Sequence, residues 1–307
     1  MSSASVTSRD ESVARDCVDP LRDFRDRFVI PEGLIYLDGN SLGPMPRAAA
    51  SVLSRTIEQE WGDDLIRSWN TAGWFDMPVR LGDRIGTLIG AAPGQTLVCD
   101  TTSINLYKAI HAAIGMRPDR DVVIAEDESF PTDLYIVEGA MKSAGRPMKR
   151  RLIGTDGPSI EALLDRKVAV AVLSHVNYRT GALLDVAAIT RQLHDAGALV
   201  VWDLCHSIGV VEFAFDLHAV DFAVGCTYKY LNGGPGSPPL FRSQQPIRPP
   251  RNIRYRAGGA MPPPLRLIVT SGPTQASSDF CAELSRSSPC AVWTWRSTRW
   301  RASKWRL

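Results

Sequence analysis

The sequence predicts an α/β fold with a mostly parallel sheet and helices on both faces. Two observations support this: segments of strand length alternate with segments of helical periodicity, and several of the strands are apolar throughout. TLVCD (96–100) predicts the first strand of this pattern. The helix TTSINLYKAIHAAIG (101–115) follows, with Thr101 or Thr102 available as its N-cap. DVVIAEDESF (121–130) predicts the next strand.

The same alternation continues along the chain. A helix passes through YIVEGAMKSAG (135–145) and ends at a glycine, and VAVAVLSHV (168–176) predicts a strand buried on both faces. DVAAITRQLHDAG (185–197) predicts an amphipathic helix, ALVVWDLCHS (198–207) a further buried strand, and DFAVGCTYK (221–229) one more. Repeated βα units of this kind predict a ligand site at the carboxyl ends of the strands.

Composition excludes several classes of protein. The 307 residues are 44% hydrophobic and 22% charged, which is typical of a globular chain. The beginning, MSSASVTSRDESVARD (1–16), has no apolar signal sequence, and no stretch approaches the roughly 18 apolar residues that a spanning helix needs. We therefore expect a cytoplasmic protein with no membrane partner. The 6 cysteines show no CxxC pair and no metal-ligand spacing, so free thiols are expected rather than zinc or disulfides.

Side chains that can take part in catalysis or ligand binding follow the predicted strands at one edge of the sheet. They are Thr102, Ser103, Phe130, Asp133, Ser174, Asp203, His206, Tyr228 and Lys229. Hydroxyls at a helix N-terminus, an aromatic ring, two carboxylates and a lysine together predict a pyridoxal phosphate site. Asp203 and Lys229 are separated by a single predicted strand, so they should lie at neighbouring strand ends.

Each of these residues has a distinct expected role. Lys229 forms a Schiff base with the cofactor and transfers protons, and Asp203 pairs with the protonated ring nitrogen. Thr102 and Ser103 bind the phosphate, and Phe130 lies against the ring. Taken singly, each also has a plainer structural explanation, since aspartates often occupy turns and hydroxyls often cap helices. The order and spacing of the whole set carry the prediction.

Several longer motifs resemble one enzyme family, kynureninase, over most of residues 20–237. They are IYLDGNSLGPMP (35–46), WGDDLIRSWNTAGW (61–74), DTTSINLYK (100–108), FPTDLY (130–135), SHVNYRTG (174–181), WDLCHS (202–207) and GCTYKYLNGGPGS (225–237). The resemblance implies the pyridoxal phosphate-dependent fold of the aspartate aminotransferases, a homodimer, and a place in tryptophan catabolism. It also implies hydrolysis of L-kynurenine to anthranilate and L-alanine, with 3-hydroxykynurenine as a second substrate.

The resemblance also implies roles for particular residues. Lys229 corresponds to the Schiff-base lysine that removes the Cα proton, and Tyr228 to a tyrosine that binds phosphate and acts as an acid–base group. Asp203 and His206 correspond to a D-x-x-H pair, and Ser41 lies on the substrate side. The phosphate-binding pair, the ring-contacting FPTD loop and a cofactor-contacting hydroxyl correspond to Thr102, Ser103, Phe130, Pro131, Thr132, Asp133 and Ser174.

The resemblance ends after Ser237, where a Pro- and Arg-rich stretch with no predicted strand begins. IRYRAGGAM (253–261) can be encoded by codons that spell PLSGWWGH in another frame, a family-like motif with a cofactor-contacting tryptophan. Residues 269–288 can be recoded in the same way. We therefore expect a frameshift close to Pro238 and three regions: an N-terminal segment (1–30), a pyridoxal phosphate-binding large domain (31–237) and a poorly ordered tail (238–307).

An out-of-frame tail has consequences for activity. It would lack the family's small C-terminal domain, including an arginine that binds the substrate carboxylate, and we expect weak or no turnover. Dimer contacts would also be lost.

Two alternatives remain open at the level of the sequence. Another pyridoxal phosphate enzyme of the same fold, such as a cysteine desulfurase-like lyase, uses the same lysine and aspartate, although GNSLG and FPTD favour kynureninase. The second alternative is a non-catalytic body with a nucleic-acid-binding arm, because residues 241–307 carry 12 basic and 2 acidic side chains. That tail lacks aromatic–basic periodicity, so we expect no nucleic-acid partner.

Overall fold

The computed structural model describes residues 8–154 and 157–244. The tail that is expected to be out of frame and poorly ordered spans 238–307, and of it residues 245–307 lie outside the described residues. Within the described ranges, no helix is both long enough and apolar enough to span a bilayer.

Within the described residues, nine strands form a small ribbon and one large sheet. The ribbon consists of β1 (Phe28–Val29) and β2 (Met45–Pro46), which pair in antiparallel fashion. The strands of the large sheet are β3 (Thr96–Val98), β4 (Val122–Glu126), β5 (Lys149–Ile153), β6 (Val168–Ser174), β7 (Leu199–Asp203), β8 (Phe222–Gly225) and β9 (Leu240–Ser243). Their order across the sheet is β3-β9-β8-β7-β6-β4-β5.

The sheet is mostly parallel, as the sequence predicts. The strands from β5 through β4, β6 and β7 to β8 pair in parallel, whereas β9 is antiparallel to both of its neighbours, β8 and β3. Ser174 lies opposite Asp203, and Asp203 lies opposite Val224. The carboxyl ends of β6, β7 and β8 therefore lie level at one edge of the sheet.

The expectation that no strand follows Ser237 is wrong for Leu240–Ser243. This segment is β9, and all four of its residues are buried. Arg242 is fully buried because its guanidinium forms an ion pair with Asp216 at 2.5 Å and donates to the carbonyl of Val220. The family-like body of the protein therefore extends at least through β9.

In the part of the chain that the structure describes, eight α-helices surround the sheet and lead into it. They are α1 (Arg9–Val18), α2 (Ala48–Arg55), α3 (Ser68–Thr71), α4 (Met77–Leu88), α5 (Thr102–Gly115), α6 (Pro131–Lys142), α7 (Ile160–Leu163) and α8 (Val186–Asp195). A π-helical segment, Thr56–Asp63, continues α2, and 3-10 turns span Arg22–Arg27 and Leu65–Arg67. The predicted cap of α5 is Thr101, whose hydroxyl accepts a hydrogen bond from the Ile104 N–H.

Two apolar layers cover the two faces of the sheet. Residues of α5 and α6, such as Ile110 and Val137, pack on one face, and residues of α8, such as Leu193, pack on the other. The buried indole of Trp202 in β7 donates a hydrogen bond to Thr190 of α8 at 3.2 Å. With both faces covered, the carboxyl edge of the strands remains open for a site.

Candidate active site

A cavity of about 570 Å³ opens at the carboxyl ends of the parallel strands. Its walls come from the ends of β3, β7 and β8, from the start of α6, and from the GNSLG loop near the N-terminus. The lining residues are Asn40, Ser41, Asp100, Thr101, Thr102, Ser103, Phe130, Thr132, Asp133, Tyr178, Asp203, Cys205, His206, Tyr228, Lys229, Gly236, Ser237 and Pro239.

Most of the predicted site residues meet in this cavity. Ten line it: Ser41, Thr102, Ser103, Phe130, Thr132, Asp133, Asp203, His206, Tyr228 and Lys229. Sequence reasoning missed Asn40, Asp100, Tyr178 and Cys205 as lining residues. Asn40 and Tyr178 lie inside the GNSLG and SHVNYRTG motifs, so their positions could have been inferred from the neighbours already chosen.

Pro131 and Ser174, whose cofactor contacts stay predictions, are not among the residues that line the cavity. Pro131 is the first residue of α6, where its fixed backbone conformation favours the start of a helix. The Ser174 hydroxyl lies 3.2 Å from the Ser129 hydroxyl, and its backbone N–H donates to Glu126 at 2.6 Å. Both residues therefore support the wall of the cavity rather than its surface.

Lys229 lies in direct contact with His206. Its Nζ is 2.5 Å from His206 Nε2, and the lysine is only 8% exposed. Burial and then the charge of Lys229 lower the pKa of His206, while Asp203 acts in the opposite direction. The imidazole is therefore neutral at neutral pH, and its Nε2 can accept a hydrogen bond from the amine.

Asp203 ends β7 and is 5% exposed. Its Oδ1 accepts a hydrogen bond from the Cys205 N–H at 2.9 Å, and its carbonyl accepts one from the His175 N–H at 2.9 Å. The strand that carries it is paired on both sides. The carboxylate is thereby held in a fixed position, from which it can pair with a positively charged ring nitrogen.

The N-terminus of α5 faces the cavity with three hydroxyls, those of Thr101, Thr102 and Ser103. Asp100, just before the helix, adopts a φ of 55°, and this left-handed residue turns the chain from β3 into α5. The first N–H groups of a helix have no acceptor within the helix, and the helix dipole favours an anion there. This end of the cavity is suited to a phosphate.

Two further carboxyl groups lie close to Asp203. Burial and, to a lesser extent, the charge of Asp203 raise the pKa of Asp133 to about 8. A hydrogen bond from the Ser129 hydroxyl at 3.2 Å lowers this pKa but does not offset them. Burial also raises the pKa of Glu126, against the hydrogen bond that it accepts from the Ser174 N–H. Asp133 therefore keeps its proton at neutral pH and adds no second negative charge beside Asp203.

Aromatic side chains complete the walls. Burial and, to a lesser extent, the charge of Cys226 raise the pKa of Tyr228 to about 12. The phenol therefore keeps its proton and can donate a hydrogen bond. Phe130 and Tyr178 meet edge to face with their ring centroids 5.4 Å apart. The cavity thus combines a proton-donating phenol with apolar ring surface.

The GNSLG loop rests directly on the backbone that carries Lys229. The Gly43 N–H donates to the Tyr228 carbonyl at 2.9 Å. A Cβ at Gly43 would overlap the Lys229 carbonyl oxygen and Asn232 Oδ1. Glycine is required here because two backbone segments approach each other this closely.

We expect Gly43→Ala to destabilise the chain by about 1–3 kcal/mol, because the added methyl group must push the loop away from Lys229. Thermal unfolding of the variant would measure this. Gly139→Ala is the matched control, since Gly139 lies within α6 and a Cβ there meets no atom within 4 Å. A melting temperature for Gly43→Ala as high as that of the control would contradict the close approach.

The donor set of the cavity fits pyridoxal phosphate. A buried lysine amine can bond to the aldehyde, a fixed carboxylate can pair with the ring nitrogen, and a helix N-terminus can bind the phosphate. In the residues that the structure describes, no cluster of three or more His, Cys, Asp or Glu side chains could hold a metal ion.

Comparisons with known proteins identify the family of the chain. Residues 84–246 match the family described as aminotransferase class-V, a match that continues beyond Ser237. The kynureninase of Burkholderia pseudomallei (strain 1106a) is 51% identical over 237 residues, which cover 76% of this chain and 57% of that protein. The kynureninase of Pseudomonas fluorescens is 48% identical over 237 residues, with 76% and 56% covered. The chain thus spans little more than half the length of these relatives.

Solved structures share the fold at low sequence identity. A C-DES mutant with glycine covalently linked to its PLP cofactor matches with a TM-score of 0.61 at 17% identity, over 71% of this chain and 59% of that one. The cysteine desulfurase CsdA from Escherichia coli matches with a TM-score of 0.60 at 16% identity, over 74% and 58%. At such identities these likenesses show the fold alone.

Proposed function

Because this chain belongs to the aminotransferase class-V family, whose members depend on pyridoxal phosphate, we propose that its cavity is the active site of a kynureninase. The reaction is hydrolytic cleavage of L-kynurenine to anthranilate and L-alanine, with 3-hydroxykynurenine as a second substrate. The observation that carries the proposal is the buried Lys229 in contact with His206, beside the fixed carboxylate of Asp203.

Pyridoxal phosphate, when bound, supplies an electron sink for negative charge on the substrate Cα. Lys229 holds the cofactor aldehyde through Nζ and afterwards moves a proton at the substrate Cα. The neutral His206 accepts a hydrogen bond from the amine at 2.5 Å and so orients it. Asp203 keeps the ring nitrogen protonated through a charge-assisted hydrogen bond.

The remaining residues bind and orient. Thr102 and Ser103 hold the phosphate at the start of α5. Tyr228 keeps its phenolic proton, because its pKa is raised to about 12, and can donate it to a developing negative charge. Phe130 would lie against the cofactor ring. On the substrate side, Ser41 adds polar lining and Tyr178, which meets Phe130 edge to face, adds aromatic surface that suits the aryl group of kynurenine.

Anthranilate fluorescence tests the proposed reaction. The full chain, loaded with pyridoxal phosphate, is incubated with L-kynurenine or with L-cysteine, and anthranilate and sulfide are both measured. We expect at most slow formation of anthranilate from kynurenine and no sulfide from cysteine, because an out-of-frame tail (238–307) would lack the arginine that binds the substrate carboxylate. Sulfide release without anthranilate would instead favour a desulfurase-like lyase. A cofactor-loaded chain that yields neither product, and whose cofactor absorbance does not change on addition of kynurenine, would overturn the proposal.

A further inference from the structure

Two buried cysteines face each other at the ends of neighbouring strands. Cys205 lies two residues after β7, and Cys226 directly follows β8, which pairs in parallel with β7. The Cys226 N–H donates to Cys205 Sγ at 3.3 Å, and Cys226 Sγ donates to the Cys205 carbonyl at 3.6 Å. The proposed reaction assigns no role to either thiol.

The two thiols differ in acidity because they interact. The pKa of Cys226 is lowered overall. A hydrogen bond from the Cys205 thiol is the largest effect and lowers it, burial comes next and raises it, and the charge of Lys229 lowers it further. The same hydrogen bond, and then burial, raise the pKa of Cys205 well above its ordinary value. Cys226 is therefore the thiol that ionises more readily, and the thiolate is the reactive form of cysteine.

The pair is reached from the cavity. Cys205 lines the cavity wall and is 8% exposed, whereas Cys226 lies behind it and is 1% exposed. A small molecule in the cavity therefore meets the Cys205 side chain by the route that leads to Asp203 and Lys229.

We propose that Cys205 and Cys226 form a dithiol modification site that small hydroperoxides oxidise to a disulfide. The Cys205 sulfur, which lines the cavity, attacks the peroxide as its proton passes to the hydrogen-bonded Cys226 sulfur. The O–O bond breaks, the leaving oxygen takes up a proton and departs from hydrogen peroxide as one water, and a sulfenic acid remains on Cys205. The Cys226 sulfur then attacks the Cys205 sulfur, the S–O bond breaks, and a second water leaves. Two thiols lose two electrons in total, and one hydrogen peroxide is reduced to two waters.

The disulfide would link the loop that carries His206 to the segment that carries Lys229. Cys205 lies between Asp203 and His206 in the chain, and Cys226 lies three residues before Lys229. A covalent bond between the sulfurs replaces the hydrogen bonds that now hold these two loops, so it shifts His206 relative to Lys229. Because the amine and the imidazole are in direct contact, we expect the oxidised chain to lose its cofactor.

Peptide mapping tests the proposal on the full chain loaded with pyridoxal phosphate. The protein is treated with hydrogen peroxide, its remaining thiols are alkylated, and it is digested without reduction. Trypsin leaves both cysteines in the peptide 192–229, and further cleavage after Glu212 separates them. We expect the two fragments to stay joined until dithiothreitol is added. Visible absorbance of the protein-bound cofactor should fall with linkage, and reduction followed by fresh cofactor should restore it.

Three results would overturn the proposal. The first is a peroxide-treated chain in which the two fragments separate without reductant, and the second is oxidation that stops at sulfinic acid on either cysteine. The third is a linked chain that keeps all of its cofactor. Cys99→Ser is the control variant, because Cys99 does not line the cavity. Burial and, to a lesser extent, the charge of Asp100 also raise the pKa of Cys99 to about 12, so its thiol keeps its proton. It should form the same link, whereas Cys205→Ser should form none.

Discussion

Lys229→Ala abolishes covalent attachment of pyridoxal phosphate to the chain and lowers anthranilate formation by at least ~10³-fold, because the amine that bonds to the cofactor also transfers the proton. Alanine leaves the backbone that contacts Gly43 unchanged. After borohydride reduction and proteolysis, mass spectrometry should find the cofactor on the peptide that contains Lys229 in the unaltered chain. The variant should carry none on any peptide.

Lys142→Ala is the matched control for this prediction. Lys142 ends α6 on the surface, where its side chain is 75% exposed and pairs with Glu138 at 2.7 Å. Removing this lysine should change neither attachment nor turnover. A Lys229→Ala chain that still carries reduced cofactor on another lysine would show that Lys229 is not the attachment residue.

Strands buried on both faces were predictable because their composition is unambiguous. The run from Val168 to Ser174 has no polar residue before its end, and the structure buries all of it between two helical layers. The same holds for Leu199–Asp203. Once these strands are parallel and adjacent, Asp203 and Lys229 must lie near each other, which is why the core of the cavity could be assembled from sequence.

Two strands of the large sheet were missed for a physical reason. Lys149–Ile153 begins with three basic residues, and the structure places it as β5 at the edge of the sheet, where charged side chains reach solvent. Leu240–Ser243 follows two prolines and contains an arginine, which argues against a central strand in sequence. Arg242 is nonetheless buried there because Asp216, 26 residues earlier, neutralises it.

The motif of Ser174 does not by itself give the contacts of its side chain. The motif resembles a cofactor-contacting segment, and in the structure the Ser174 hydroxyl lies 3.2 Å from the Ser129 hydroxyl while its N–H donates to Glu126. The strand alternates its side chains between two faces, and one residue decides whether a hydroxyl lines the cavity or lies behind it. The sequence alone shows where the strand ends. The register of β6 with β4 and β7 decides which side chains the Ser174 hydroxyl contacts.

Asp203→Asn is expected to lower anthranilate formation by about 10- to 100-fold while the chain still binds the cofactor. A hydrogen bond to a charged group contributes about 1.5–3 kcal/mol, and about 1.4 kcal/mol corresponds to a factor of ten. Asparagine keeps the shape of the side chain and an oxygen for the Cys205 N–H. It removes the negative charge that keeps the ring nitrogen protonated, and the electron sink weakens accordingly.

Two measurements show whether the loss of turnover comes from the missing charge or from a change in the fold. Asp127→Asn removes a carboxylate from an exposed position one residue after β4, outside the cavity lining, and should leave turnover unchanged. Thermal unfolding of Asp203→Asn should stay close to that of the unaltered chain, since its strand pairing and its carbonyl hydrogen bond to the His175 N–H are kept. Unchanged turnover in a folded, cofactor-bound Asp203→Asn chain would mean that another group holds the ring nitrogen. Asp133, whose pKa near 8 leaves it protonated at neutral pH, is poorly suited to replace it.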